Sequence, residues 1–144
     1  MQQRVWHRAE SVVPHRPRML LVDEVALDGD REGEARTMVK ADWPVLAPGG
    51  RLLEAAFFEL MAQSYAAVSG LGQPLNGAGD SPRPGFLVGL KRITILGRAF
   101  VGDQLRIRVR GVAELGDFAV FEGEVLKEGE VLACGQVKVF SPPV

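Results

Sequence analysis

The sequence predicts an α+β fold in which a curved antiparallel sheet wraps around one long central helix. The first observation is the run from Arg51 to Ser69, the only long stretch of good helix-forming residues, which is apolar apart from four polar side chains between Leu52 and Val68. A helix that is apolar almost all round should be buried almost all round. The second observation is that two predicted strands precede this helix and four follow it. Runs of strands around a single helix favour an antiparallel sheet over alternating βαβ units.

The strands are predicted from runs of apolar and β-branched residues bounded by turn signals. They are Met19–Leu27, Glu34–Ala41, Phe86–Leu96, Asp103–Val112, Phe118–Lys127 and Val131–Phe140. The fourth strand alternates strictly between apolar residues and the arginines 106, 108 and 110, a period of two that marks a half-solvated strand. We interpret this arginine row as a solvated face paired across strands with Glu122, Glu124 and Glu128; a phosphate or nucleic-acid patch is the alternative.

Six strands curled about one apolar helix form a hot-dog architecture. The chain of 144 residues fits a single domain spanning 1–144, with an irregular N-terminal segment over 1–18 that is rich in arginine and proline. One sheet covers only one side of the helix, and a two-fold partner commonly extends it. We therefore expect a dimer.

Composition excludes several function classes. The net charge of −1 gives no electrostatic case for nucleic acid or an anionic membrane. No segment reaches the roughly 20 apolar residues of a membrane span, and the N-terminus does not resemble a signal peptide. The lone Cys134 forms no internal disulfide and is predicted to be a small buried hydrophobe, which suits a reducing cytoplasm. Two separated histidines and one cysteine provide no metal-ligand spacing, and no phosphate-binding glycine pattern is present, so we expect no metal and no cofactor.

Three motifs carry a resemblance to a known family. The first is the segment Pro14–Asp23, the second is Glu59–Gln63 in the central helix, and the third joins Gly89–Arg92 to Val101–Leu105. In this order they resemble the hot-dog 3-hydroxyacyl-carrier-protein dehydratases of fatty-acid synthesis, over about residues 12–140. The combination is most similar to a divergent branch of predicted dehydratases associated with aryl-polyene-type pigment pathways.

This resemblance implies an acyl thioester substrate and a catalytic role for Glu59, but it also reveals a departure. In the family a histidine lies in a loop fourteen residues before the catalytic acid. That position is Val45 here, and the loop from Trp43 to Gly50 contains no histidine. His15, in the first motif, is the candidate replacement base, with packing beside the first strand as its structural alternative.

Dehydration of a 3-hydroxyacyl thioester requires a base at C2, an acid for the departing C3 hydroxyl and amide donors for the enolate oxygen. An apolar wall would keep Glu59 protonated often enough to act as the acid. Free N–H groups at the helix start, around Leu53 to Ala55, would stabilise the enolate with help from the helix dipole. The predicted substrate contacts are Glu54, Ala55, Gln63 and Gly89.

Two further functions remain open. A hot-dog thioesterase needs a helix carboxylate but no loop histidine, and a non-catalytic subunit would bind an acyl chain beside an active relative. The predicted partners are an acyl carrier protein and either a second copy of this chain or a related hot-dog subunit. Because carrier proteins are acidic, docking would use a basic rim. The candidates by position are Arg16, Arg18, Lys91, Arg92 and Arg98.

Overall fold

A computed structural model describes residues 4–12, 19–72 and 86–141. These residues form one helix and seven strands, which confirms the predicted hot-dog architecture of one helix against a curved antiparallel sheet. The elements are β1 His7–Arg8, a 3-10 helix Ala9–Ser11, β2 Glu24–Gly29, β3 Glu32–Met38, α1 Ala55–Gly72, β4 Phe86–Ile95, β5 Gln104–Leu115, β6 Phe118–Lys127 and β7 Glu130–Phe140.

The strands form a single sheet in the order β1-β2-β3-β5-β6-β7-β4, with every neighbouring pair antiparallel. At one end the two-residue strand β1 covers part of β2. At the other end β4 pairs with β7 and with no further strand in the described part of the chain. The ten-residue strand β4 therefore leaves one backbone edge open.

The central helix lies across the inner face of the sheet. Met61, Tyr65 and Val68 point to it: Met61 fills the space over Gly123, the Tyr65 ring stacks on Phe121 at 4.3 Å, and Val68 lies where a side chain at position 33 would project. Ten helix residues are buried, so the expected burial of the helix is confirmed for this side. No helix of the described residues is long and apolar enough to span a membrane.

The predicted bounds differ from the observed ones at several ends, and three of these differences have a clear structural cause. Residues 7–11 are not irregular, because they form β1 and a 3-10 turn, and β1 makes seven strands where six were expected. The first long strand begins at Glu24 and not at Met19, because the preceding backbone bonds to side chains. The helix begins at Ala55 and not at Arg51, because the residues before it bridge to other loops, as Arg51 does to Phe100.

The outer face of the sheet carries the arginine row, with the predicted cross-strand partners at two positions. Arg110 contacts Glu122 at 2.6 Å and Arg108 contacts Glu124 at 3.6 Å. The centre of the network is a residue that sequence reasoning missed: Glu34 is 1% exposed and accepts hydrogen bonds from three arginines. These donors are Arg4, Arg106 and Arg108.

Cys134 departs from its prediction as a buried hydrophobe. It is half-buried and lines an open cleft of about 470 Å³ on the outer face, together with the cross-strand ion pairs. Its neighbour across the strand pair is Glu124. The cleft lies on the side of the sheet opposite the helix, because its polar lining alternates with the core residues of the same strands.

Candidate active site around Glu59

Glu59 lies on the face of the helix that is turned away from the sheet. Residues 55, 59, 62 and 66 repeat at helical spacing, and each is exposed or half-buried, whereas Met61, Tyr65 and Val68 on the opposite side are buried. The carboxylate is therefore neither sealed in the core nor fully exposed. This is the position expected for a group that a second protein surface would cover.

Gln63, one turn after Glu59, is buried, and its side-chain amide is engaged inside the chain. Its Oε1 accepts the Leu21 N–H at 2.8 Å, and its Nε2 donates to the Met19 carbonyl at 2.6 Å and to Glu59 Oε1 at 2.9 Å. Gln63 is 1% exposed and both of its N–H groups are used. The described structure therefore leaves it no direct contact with a substrate and makes it a neighbour of the predicted acid.

The helix start offers fewer free N–H groups than expected. The Leu53 N–H donates to the Val45 carbonyl at 2.9 Å, which removes Leu53 from the predicted amide donors. Neither the Glu54 nor the Ala55 N–H has a hydrogen-bond partner among the described residues. Ala55 is the first helical residue and lies one turn before Glu59 on the same face of the helix. The Glu54 side chain is exposed.

Among the described residues, no histidine takes the place of the absent loop histidine. Val45, at the position where the related dehydratases carry histidine, is held beside the helix start by its bond to Leu53, and an aliphatic side chain there transfers no proton. His7 is exposed in β1 and pairs with Val25 at the far edge of the sheet. His15, the predicted base, lies outside the described residues.

The remaining predicted residues lie on or near the open edge. Gly89 is half-buried on β4 opposite Lys138, and Lys91 and Arg92 are exposed on the same strand. Arg98 is exposed in the loop before β5, where the neighbouring Ala99 carbonyl accepts the Leu52 N–H just before the helix. Arg98 is therefore the described basic candidate that lies beside the helix start. Arg16 and Arg18 lie outside the described residues.

A second side chain that holds the Met19–Leu21 segment could not be predicted from the sequence. The Thr37 hydroxyl on β3 donates to the Leu21 carbonyl at 2.6 Å, so the N–H and the carbonyl of Leu21 are both held by buried side chains. Such a contact depends on which residues of β3 lie opposite the segment. The order of residues along the chain does not determine this register. Within the described part, no group of three acidic, histidine or cysteine side chains is arranged to hold a metal ion.

Comparisons with known proteins place this geometry in a family. A family model described as ApeP-like, ApeP dehydratase, matches residues 7–144. The dehydratase heterocomplex ApeI:P from Xenorhabdus doucetiae matches with a TM-score of 0.83 and 26% identity over 95% of this chain and 92% of that chain. A search of curated proteins found no significant match.

More distant structures share the fold. A variant of the phenylacetic acid degradation protein PaaI from Thermus thermophilus has a TM-score of 0.57 and 21% identity, over 82% of this chain and 91% of that one. A hypothetical thioesterase with coenzyme A from Streptococcus pneumoniae has a TM-score of 0.60 and 16% identity, over 82% and 84%. The match over residues 7–144 decides between these neighbours: the chain belongs to the ApeP-like dehydratase family.

Proposed function

We propose that this protein dehydrates 3-hydroxyacyl thioesters, with Glu59 as the general acid. The observation that carries the proposal is the position of Glu59 on the outward face of the helix, one turn after the unpartnered Ala55 N–H. A thioester oxygen at this helix start would have an amide donor and the positive end of the helix dipole beside it. The carboxyl group would then lie within reach of the acyl carbons.

The reaction needs a base, a donor that stabilises the enolate oxygen and an acid. A base removes the C2 proton, and the resulting negative charge on the thioester oxygen is stabilised by the Ala55 N–H. Glu59 protonates the C3 hydroxyl, which leaves as water while the C2–C3 double bond forms. Glu54 contributes its backbone N–H at the same helix start.

The proposal includes a second hot-dog subunit that covers Glu59. The open β4 edge supports this, since Leu87 and Leu90 lie on its inner face opposite the core residues Val139 and Val137, yet are 41% and 42% exposed. An exposed apolar strand edge of this kind is a site for pairing with another chain. The similar ApeI:P dehydratase is a heterocomplex, which favours a related subunit over a second copy.

Glu59→Gln tests the acid directly. The substitution keeps the shape of the side chain and removes its transferable proton, so we expect the hydration of crotonyl-coenzyme A to fall at least about 100-fold, the usual contribution of a general acid. The rate is measured with the chain alone and with an ApeI-type partner. An unchanged rate would remove Glu59 from the mechanism, whereas wild-type activity seen only with the partner would identify a composite enzyme.

We propose His15 as the base. The Met19 carbonyl is bonded to Gln63, the neighbour of Glu59, and His15 precedes Met19 by only four residues in the sequence. His15→Asn is expected to lower the rate at least about 100-fold. His7→Asn is the matched control, because the sequence has only these two histidines and His7 lies at the far sheet edge. Full activity of His15→Asn would indicate that a partner subunit supplies the base.

Thioester hydrolysis is the second candidate function. It is favoured by Val45 in place of a loop histidine, since a carboxylate on the helix can activate water without it. The two reactions differ in their products. Release of free thiol from an acyl-coenzyme A indicates hydrolysis, and reversible hydration without thiol release indicates dehydratase chemistry.

We further propose an acyl carrier protein as the donor of the substrate, docked beside Arg98. This guanidinium is exposed next to the helix start, where a thioester arm would enter. Arg98→Ala is expected to raise KM for carrier-bound substrate several-fold and to leave KM for the coenzyme A thioester unchanged. Arg110→Ala on the outer face, paired with Glu122, is the control. Equal effects of Arg98→Ala on both substrates would exclude docking there.

A further inference from the structure

We infer that Gln63 is a positioning residue, which sets the orientation of the Glu59 carboxyl group and couples it to the backbone of Met19–Leu21. The inference rests on the proposed role of Glu59. Its basis is the set of three hydrogen bonds that one buried amide makes to Leu21, Met19 and Glu59, at 2.8, 2.6 and 2.9 Å.

The backbone fixes which way the amide points. A peptide N–H only donates and a peptide carbonyl only accepts, so the Leu21 N–H must face Oε1 and the Met19 carbonyl must face Nε2. A flipped amide would bring two donors together at Leu21 and two acceptors together at Met19. The remaining N–H of Nε2 is therefore directed at Glu59, whatever the protonation state of that residue.

This direction selects the oxygen that carries the proton. Glu59 Oε1 accepts the Nε2 hydrogen, which favours Oε1 as the carbonyl oxygen and Oε2 as the oxygen that carries the acid proton when Glu59 is protonated. A carboxyl group held in this way presents one defined O–H to a substrate. Without Gln63 the carboxyl group would lose this hydrogen bond, and a small misplacement of a proton donor has a large effect on rate.

A purely structural role predicts a different result, and Thr37 distinguishes the two. Thr37 and Gln63 both anchor Leu21, through its carbonyl and its N–H respectively, and both side chains are buried. The structure gives no hydrogen bond between Thr37 and Glu59; its hydroxyl bonds to Leu21 and Asp23. Thr37→Val therefore removes an anchor of the Met19–Leu21 segment without removing a hydrogen bond to Glu59. Gln63→Met removes an anchor of the segment and also the hydrogen bond to Glu59.

The experiment compares Gln63→Met, Thr37→Val and Glu59→Gln in the full chain, with the partner subunit where activity requires it. Crotonyl-coenzyme A hydration and the thermal midpoint are measured for each. We expect Gln63→Met to lower kcat about 10- to 100-fold, with KM changed by no more than about twofold. Thr37→Val is expected to lower the midpoint and to keep kcat near the wild-type value.

Equal losses of kcat in Gln63→Met and Thr37→Val, at equal losses of thermal midpoint, would overturn the positioning role and leave Glu59 as the acid. Full activity of Glu59→Gln would instead overturn the proposed function itself. If Gln63→Met does not fold, the side-chain amide resonance of Gln63 in the Glu59→Gln variant provides the test. A shift of its proton signal relative to wild type is expected, and an unchanged signal would overturn the inference.

Discussion

Tyr65 shows how a buried polar atom can be tested at the scale of one residue. Its side chain is 3% exposed, and its hydroxyl has no hydrogen-bond partner among the described residues. Burial raises the pKa of the Tyr65 phenol above its usual 10.0. A phenol that ionises less easily in the folded state stabilises the fold below pH 10, and that stability is lost as the pH rises further.

The chain has a single tyrosine, so phenolate absorbance reports Tyr65 alone. We expect this absorbance to appear together with alkaline unfolding and not before it. Tyr65→Phe should remove the unpaired hydroxyl and raise the free energy of unfolding by about 1 kcal/mol near neutral pH. A less stable Tyr65→Phe variant would mean that the phenol has a hydrogen-bond partner, and early phenolate absorbance would mean that it is accessible in the fold.

The same scale explains which site residues were predictable. Glu59 is conspicuous because a carboxylate in an apolar helix is costly, and residue order alone places Gln63 one turn away. The other two partners of the Gln63 amide, Met19 and Leu21, were not predictable, because they are more than forty residues away in sequence. Glu34 was missed for a related reason, since its three arginines come from two other segments.

At the scale of elements, the alternation of apolar and polar residues predicted the strands well where the sheet is regular. β5 keeps a period of two over its pairing with β3 and β6, and the predicted strand there agrees with the structure. The prediction was wrong at the start of β2, because Leu21 is apolar and buried, yet its backbone N–H and carbonyl bond to side chains instead of a neighbouring strand. Periodicity reports burial, and it does not distinguish a strand from an extended segment clamped by Gln63 and Thr37.

At the scale of the whole molecule, the two ends of the sheet differ in a way that no single element reveals. One end is covered by the N-terminal residues, where Trp6 stacks on Arg36 at 4.0 Å and β1 pairs with β2. The other end is β4, which is long and carries exposed apolar side chains, and one of its edges pairs with no strand of the described residues. If a second subunit pairs with this sheet as proposed, we expect it to do so at the β4 end.

Leu90→Lys tests this direction of assembly. Leu90 is 42% exposed in the single chain, so a lysine there keeps its ammonium group in water and the monomer fold should persist. Burial of that charge against a partner would be costly, so we expect the complex measured by sedimentation to dissociate and its hydration activity to fall with it. Leu115→Lys at the end of β5, which is 61% exposed, is the control and should leave assembly intact. If Leu90→Lys assembles as wild type does, the second subunit covers Glu59 from a surface other than the β4 edge.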